Sequence, residues 1–167
     1  FFLPYTENAA SEVTSFGTMI QPFGLPLADG LHTVVAQHPL AMLHVVARGC
    51  DPFRNTLEQA LRRKPPSAEA PWGLVMDCDE IRHNPVGRDE RKIESVYWSF
   101  LELGPAALST ELAWFEVVAV RTTLIEELPS GMSHLYKPVL SRLLFNKEQG
   151  SDMSVGVFLR DGWPMTF

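Results

Sequence analysis

Residues 72–104, WGLVMDCDEIRHNPVGRDERKIESVYWSFLELG, constrain this chain more than any other stretch. An apolar run of strand length ends on three acids (Asp77, Asp79, Glu80), crosses a short basic loop and resumes as an aromatic-rich segment. Alternation in GLVMDCDEI places Val75, Asp77 and Asp79 on one face of a strand, with Leu74, Met76 and Cys78 on the other. Asn84-Pro85 and Gly87 supply turn residues to the loop. The following run, 93–103, fits two patterns. Ile93, Val96, Tyr97, Phe100 and Leu101 recur at helical spacing, whereas VYWSFL has strand composition. Carboxylates at the end of a buried strand are costly unless they are paired, hydrogen-bonded or metal-bound, so these acids ask for a reason.

With 167 residues the chain is long enough for one full core and short for two domains. Hydrophobic residues make up 46% and charged residues 20%, the balance of an ordinary globular protein. A net charge of -6 disfavours a free-standing nucleic-acid binder, because such domains neutralise phosphates with a basic face. Cys50 and Cys78 are too few for a disulfide framework and are expected as buried, reduced thiols. No apolar run approaches the ~18 residues of a membrane span, and the first residues lack a basic n-region and a cleavage site. An intracellular protein is therefore expected. A start at Phe1 and a stop at Phe167 suggest a fragment, whose ends FFLPY and WPMTF would then pack on the body, on a second copy or on further chain.

Around the central stretch, residues 1–30 are rich in Pro, Gly and aromatic side chains, which predicts an irregular arm with room for one short strand. Residues 31–48 give two β-leaning runs broken at His38-Pro39. Asp51 fits an N-cap with Pro52 at the first helical position, and Phe53, Leu57, Ala60 and Leu61 follow at helical spacing to Arg62-Arg63-Lys64. KPPSAEAP is a short linker. Further on, residues 113–124 form the most secure strand, Ser130-Gly131 opens a helix through Phe145 that Pro138 kinks or delays, and residues 154–160 form a last strand. The whole predicts an α+β domain over 1–167: a mixed, mostly antiparallel sheet with two or three helices. It divides into an arm (1–30), a strand-strand-helix unit (31–71) and a strand-strand-strand-helix-strand core (72–167).

The acids can be read chemically. Hard oxygens at a strand end suit Mg²⁺ or Mn²⁺ in phosphodiester chemistry, and Asp77 and Asp79 share a face. The plainer reading is that they mark the strand leaving the core and pair with Arg82, Arg88 or Arg91. Glu116 shares strand parity with Val118 and Val120, which predicts a semi-buried carboxylate and a second candidate. His32, His38 and His44 recur every six residues, but that step spans about 20 Å in a strand, too far for one ion. Arg82, Arg88, Arg91 and Lys92 are diluted by Asp89 and Glu90, as in a solvated loop. No phosphate-binding glycine loop, GxSxG elbow or CxxC pair is present. A small hydrolase built on Asp79 and His83 would need a third group that the sequence does not identify.

From about Trp72 to Gly162 the ordered pieces MDCDEI, HNPVG, RDERKIES, VYWSFLEL, WFEVVAVRT and LPSGMSHLYKPVLSRLLF resemble reading frames of marine dinoflagellate and environmental mobile elements. More distantly they are similar to the front half of Kyakuja–Dileera–Zisupton-type transposases, whose catalytic domain is ribonuclease H-like. The resemblance implies that residues 93–103 form a strand. It also implies that Asp79 is the metal-binding acid of the first strand, with Mg²⁺ or Mn²⁺ as cofactor and nucleic acid as substrate. Asp77 and Glu80 flank that position without matching a required acid, and the further carboxylates of a two-metal site find no place before Phe167. The leading expectation is thus a mobile-element-derived, ribonuclease H-like fragment with an incomplete site: Asp79, Asp77 and Glu116 as candidates, Asp79 and Asp77 as metal ligands. The competing expectation is a non-enzymatic binding protein, in which the sheet and Trp72, Tyr97, Trp98, Trp114 and Phe115 form a core plus an apolar pocket or a homodimer face.

Overall fold

Strict alternation in the Asp77–Asp79 strand and β-branched, aromatic residues in its neighbours build a five-stranded antiparallel sheet. The computed structural model describes residues 13–82, 92–141, 145–146, 151–152, 157–160 and 163–165. The elements are β1 (Val13–Thr14), β2 (Gly17–Thr18), β3 (Ile20–Leu27), β4 (Gly30–Gln37), α1 (Pro39–Gly49), α2 (Asp51–Arg63), β5 (Leu74–Arg82) and β6 (Lys92–Phe100). They continue with α3 (Pro105–Leu108), β7 (Phe115–Arg121), α4 (Thr122–Glu126), α5 (Met132–Val139), β8 (Phe145–Asn146), β9 (Ser151–Asp152), β10 (Val157–Arg160) and β11 (Trp163–Met165). The main sheet runs β3-β4-β7-β6-β5; β1-β2, β8-β9 and β10-β11 pair as separate hairpins. The α+β expectation is met.

Directly opposed residues share a sheet face, so the register defines two surfaces. Phe23, Leu25, Ala36, Val118, Val96 and Cys78 lie on the inner face, and Trp98 opposes Phe115 there. Phe53 of α2 stands edge-on to Phe115 at 5.1 Å, and Trp98 lies 5.2 Å from both Phe100 and Phe115. Trp98, Phe53, Phe100, Leu40, Leu43, Leu57 and Leu135 are fully buried, so α1, α2 and α5 close one core with the sheet. Each such side chain contributes about 1.5–3 kcal/mol of burial.

Several sequence expectations are corrected. The second β-leaning run, residues 39–48, is helix α1, so 31–71 reads strand-helix-helix. His38 caps it: its Nδ1 accepts from the Ala41 N–H at 3.3 Å, and Pro39 occupies the first turn, where its missing N–H costs nothing. Leu40–Leu43 and Ala47 are good helix formers, and a helix apolar on most sides is a buried one. The described part of the arm contains an eight-residue strand, β3, despite Pro22 and Pro26. It lies at the sheet edge, where prolines four apart present the same side and need no outer partner. Cys50 is the N-cap of α2, placing Asp51 in its first turn. The strand at 113–124 shortens to Phe115–Arg121, because Thr122 opens α4. The last long helix ends at Val139, and Phe145 lies in β8. The strand at 154–160 is β10, paired with β11 rather than the main sheet, and Ser154 lies outside the described residues. Of residues 93–103, which fit two patterns, 93–100 are strand, whereas Leu101–Leu103 form a 3-10 turn rather than continuing it.

The linker is strapped down. Trp72 Nε1 donates to Lys64 O at 2.7 Å, and the Glu102 carboxylate accepts from Lys64 Nζ at 2.7 Å and from the Gly73 N–H at 2.9 Å. The two ends of this short, largely exposed segment are thereby fixed, with Trp72 buried against Phe100.

Candidate functional site

A β-bulge decides where the predicted acids stand. Val96 opposes Val118, whereas Tyr97 opposes Glu116, which leaves Val117 as the extra residue of β7. The insertion reverses strand parity, so Phe115 and Val118 both face the core. Glu116 turns to the outer face, opposite to Val118 and Val120; the shared-face expectation is corrected, although Glu116 is half-buried as expected. Asp77 and Asp79 occupy that same outer face and are exposed.

On this face Ser95 Oγ donates to Glu116 Oε1 at 2.8 Å, and Gln37 Nε2 donates to Glu116 Oε2 at 3.3 Å. Burial holds the Tyr97 phenol above its ordinary value; the Glu116 and Asp79 carboxylates push the same way, against a hydrogen bond with Ser95. Asp77 Oδ1 accepts from the Cys78 backbone N–H at 2.9 Å. Glu80 lies on the other face and pairs with Lys92 at 3.8 Å. Asp77 and Glu116 stand on either side of Tyr97, two strand spacings or roughly 10 Å apart. Among the described residues no group of three His, Cys, Asp or Glu side chains is placed to hold a metal ion. His83, Asn84-Pro85, Gly87, Arg88, Asp89, Glu90, Arg91 and Asp161 lie outside the described residues, as does the Arg82 side chain.

The three spaced histidines separate into unrelated tasks. His32 Nε2 bonds Asp29 Oδ1 at 2.9 Å, His38 caps α1, and His44 sits against the Phe16 ring at 6.2 Å. Cys50 is buried and Cys78 half-buried, both free thiols as expected. The Cys78 thiol donates to Glu94 Oε2 at 3.4 Å, and burial together with that carboxylate pushes it up to about 11. Trp72, Trp98 and Phe115 belong to the core, while Trp114 is fixed by Nε1 donating to Leu108 O at 2.8 Å. None of Trp72, Tyr97, Trp98, Trp114 and Phe115 lines the cleft between β4 and β7.

A cleft lies elsewhere, where the sheet comes apart. β4 pairs with β3 along its whole length but meets β7 only at Ala36↔Val118. Beyond that pair the two strands diverge, and a wedge of about 400 Å³ opens between them. Val34, Val35, Ala119, Val120 and Leu124 make its walls apolar. His32, Arg121, Thr123 and Glu127 add polar groups, with α4 and the residue after it closing the far side. Nothing local in the sequence announces this seam, because it depends on which strands become neighbours. The nearest signal is Arg121-Thr122-Thr123, where the strand turns directly into a helix.

No protein-family model, curated protein or solved structure matches the chain. Among the described residues no helix is long and apolar enough to cross a membrane.

Proposed function

We propose that this protein is a non-catalytic recognition module whose ligand seat is the wedge between β4 and β7. The carrying observation is the wedge itself: apolar walls, a few polar groups, and a volume of about 400 Å³, within the usual range for ligand sites. The carboxylates of the outer face support binding better than catalysis. They stand on β5 and β7 with β6 between, and the half-buried one is already committed to Ser95 and Gln37. Indole and N-acetyl-leucine amide are suitable small probes. Titrated into the isotope-labelled protein, they should shift the amides of Val34, Val35, Ala119, Val120 and Leu124. Shifts scattered over the surface, or none at millimolar probe, would sink the reading.

A second reading is the ribonuclease H-like fragment, in which Asp79 is the metal-binding acid and nucleic acid the substrate. Two observations favour it: β5, β6 and β7 are neighbours in sequence order and are followed by helices α4 and α5, and Asp79 is exposed toward the C-terminal end of β5. The net charge of -6 weighs against it. Under this reading Mn²⁺ or Mg²⁺ raises the melting temperature, and Asp79→Asn removes the effect. An unchanged melting temperature at millimolar metal counts against it.

A further inference from the structure

We infer that the wedge takes a short extended peptide bearing a carboxylate, added as a strand between β4 and β7, with the carboxylate on Arg121. The inference rests on the recognition role proposed above and names its ligand class.

Main-chain chemistry is the first ground. In a strand, alternate backbone N–H and C=O groups point to opposite sides, and each seeks a partner. β3 satisfies one side of β4 from Gly30 to Gln37, and β6 satisfies one side of β7 out to Arg121. Continuing the Ala36↔Val118 register would pair Val35 with Ala119 and Val34 with Val120, yet pairing stops. Past this bridge β4 and β7 have no register pair with each other, so the backbone groups that each strand turns toward the gap lack a ladder partner across it. A compact apolar molecule would leave those groups dry and unpaired, at a cost of about 1–3 kcal/mol each. An extended peptide supplies donors and acceptors at the same repeat, the mode of β-strand addition.

Dimensions and side chains agree. The open part of β4, residues 32–35, is about 13 Å long, room for a tetrapeptide. Since β4 and β7 are antiparallel, the inserted strand runs parallel to one wall and antiparallel to the other. One face of such a strand meets Val34, Val120 and Leu124, which suits β-branched or aliphatic side chains. Charge supplies the end group. Arg121 is exposed and, among the described residues, makes no ion pair, although the chain carries a net charge of -6. A guanidinium with Thr123 beside it is a good receptor for one carboxylate. Glu127 on the same rim discriminates against a second acid.

The test uses the full chain and the peptide acetyl-Val-Thr-Val-Asp-amide, which carries a single carboxylate. Saturable binding is expected, with amide exchange slowed at residues 32–35 and 119–121. Methylating the alternate peptide nitrogens should weaken binding at least tenfold. Replacing the Asp by Asn on a C-terminally amidated peptide, or introducing Arg121→Gln, should each weaken it about fivefold or more. A cross-link made by Val35→Cys with Ala119→Cys zips the seam, so the oxidised protein should not bind and the reduced protein should. Should that double variant fail to fold, the methylated peptide decides alone. Equal binding of methylated and plain peptide overturns strand addition, and equal binding of charged and neutral peptide overturns the carboxylate. If indole binds in the wedge and the peptide does not, this inference fails while the recognition role stands; if neither binds, both fail.

Discussion

His38 shows how one side chain can carry a structural task that its spacing conceals. Read with His32 and His44 it belongs to a six-residue repeat; in the fold it is the buried acceptor that starts α1. Its backbone N–H donates to Met19 O at 2.7 Å, so the residue also ties the helix to the segment before β3. Only an unprotonated Nδ1 can accept from Ala41, and burial holds the imidazole below its ordinary value of 6.5. The sign follows directly. A folded pKa below the unfolded one means that the unfolded chain binds the proton more tightly. The contribution is complete above about pH 6.5 and declines as pH falls from there through the lowered folded value. Urea midpoints recorded from pH 8 to pH 5 should therefore drop at the acid end. His38→Asn keeps a cap acceptor without a titrating group and should flatten that drop, whereas His38→Ala should cost about 1–2 kcal/mol at pH 7.5. An unchanged profile in His38→Asn would assign the acid sensitivity to other groups.

At the scale of elements, the bulge at Val117 determines which side chains the longest β-branched run offers to the core. Strict alternation from Phe115 would send Val118 and Val120 to the other face, and the bulge brings all three inward. Deleting Val117 should therefore cost far more than truncating it. Val117→Ala loses about 1–3 kcal/mol of burial, while the deletion forces Phe115 or the Val118–Val120 pair off the core. Loss of the folded circular-dichroism signal in the deletion alone is the expected result; a folded deletion variant would mean that β7 can shift register. The same residue explains the misplaced Glu116: parity counted along a strand fails at a bulge, and a bulge carries no fixed sequence mark. Elements with self-contained signals were legible. Asp51–Arg63 had a Pro at its start, an apolar stripe and basic residues at its end, and Leu74–Arg82 had clean alternation. Pro39–Gly49 was not, because Val45 and Val46 read as β-formers until His38 and Pro39 are recognised as a helix start.

For the whole molecule, the informative property is how unevenly the sheet is joined. β5, β6 and β7 form a continuous ladder and β3 and β4 another, with Ala36↔Val118 as the only register pair between them. The halves are otherwise held by shared packing: α1 follows β4 directly, α2 lays Phe53 on Phe115 of β7, and one buried cluster spans Met19 to Val139. This arrangement was not legible in the sequence, since neither edge of the seam differs in composition from an ordinary strand. The candidate acids are legible as residues, yet the separation of Asp77 and Asp79 on β5 from Glu116 on β7, with β6 between, follows only from the register. Backbone hydrogen bonds flanked on both sides and buried beneath Trp98 and Phe100 should open only with global unfolding. Those next to the seam should open in smaller steps. Native-state hydrogen exchange should accordingly rank residues 92–100 slowest, with a denaturant dependence equal to that of global unfolding. Residues 30–35 should exchange faster and with a weaker dependence, and Ala36→Gly, which thins the bridging pair, should accelerate them without moving 92–100. Equal protection of β4 and β6 would show the sheet to be one cooperative unit, and the wedge would then be a rigid notch rather than a seam able to admit a strand.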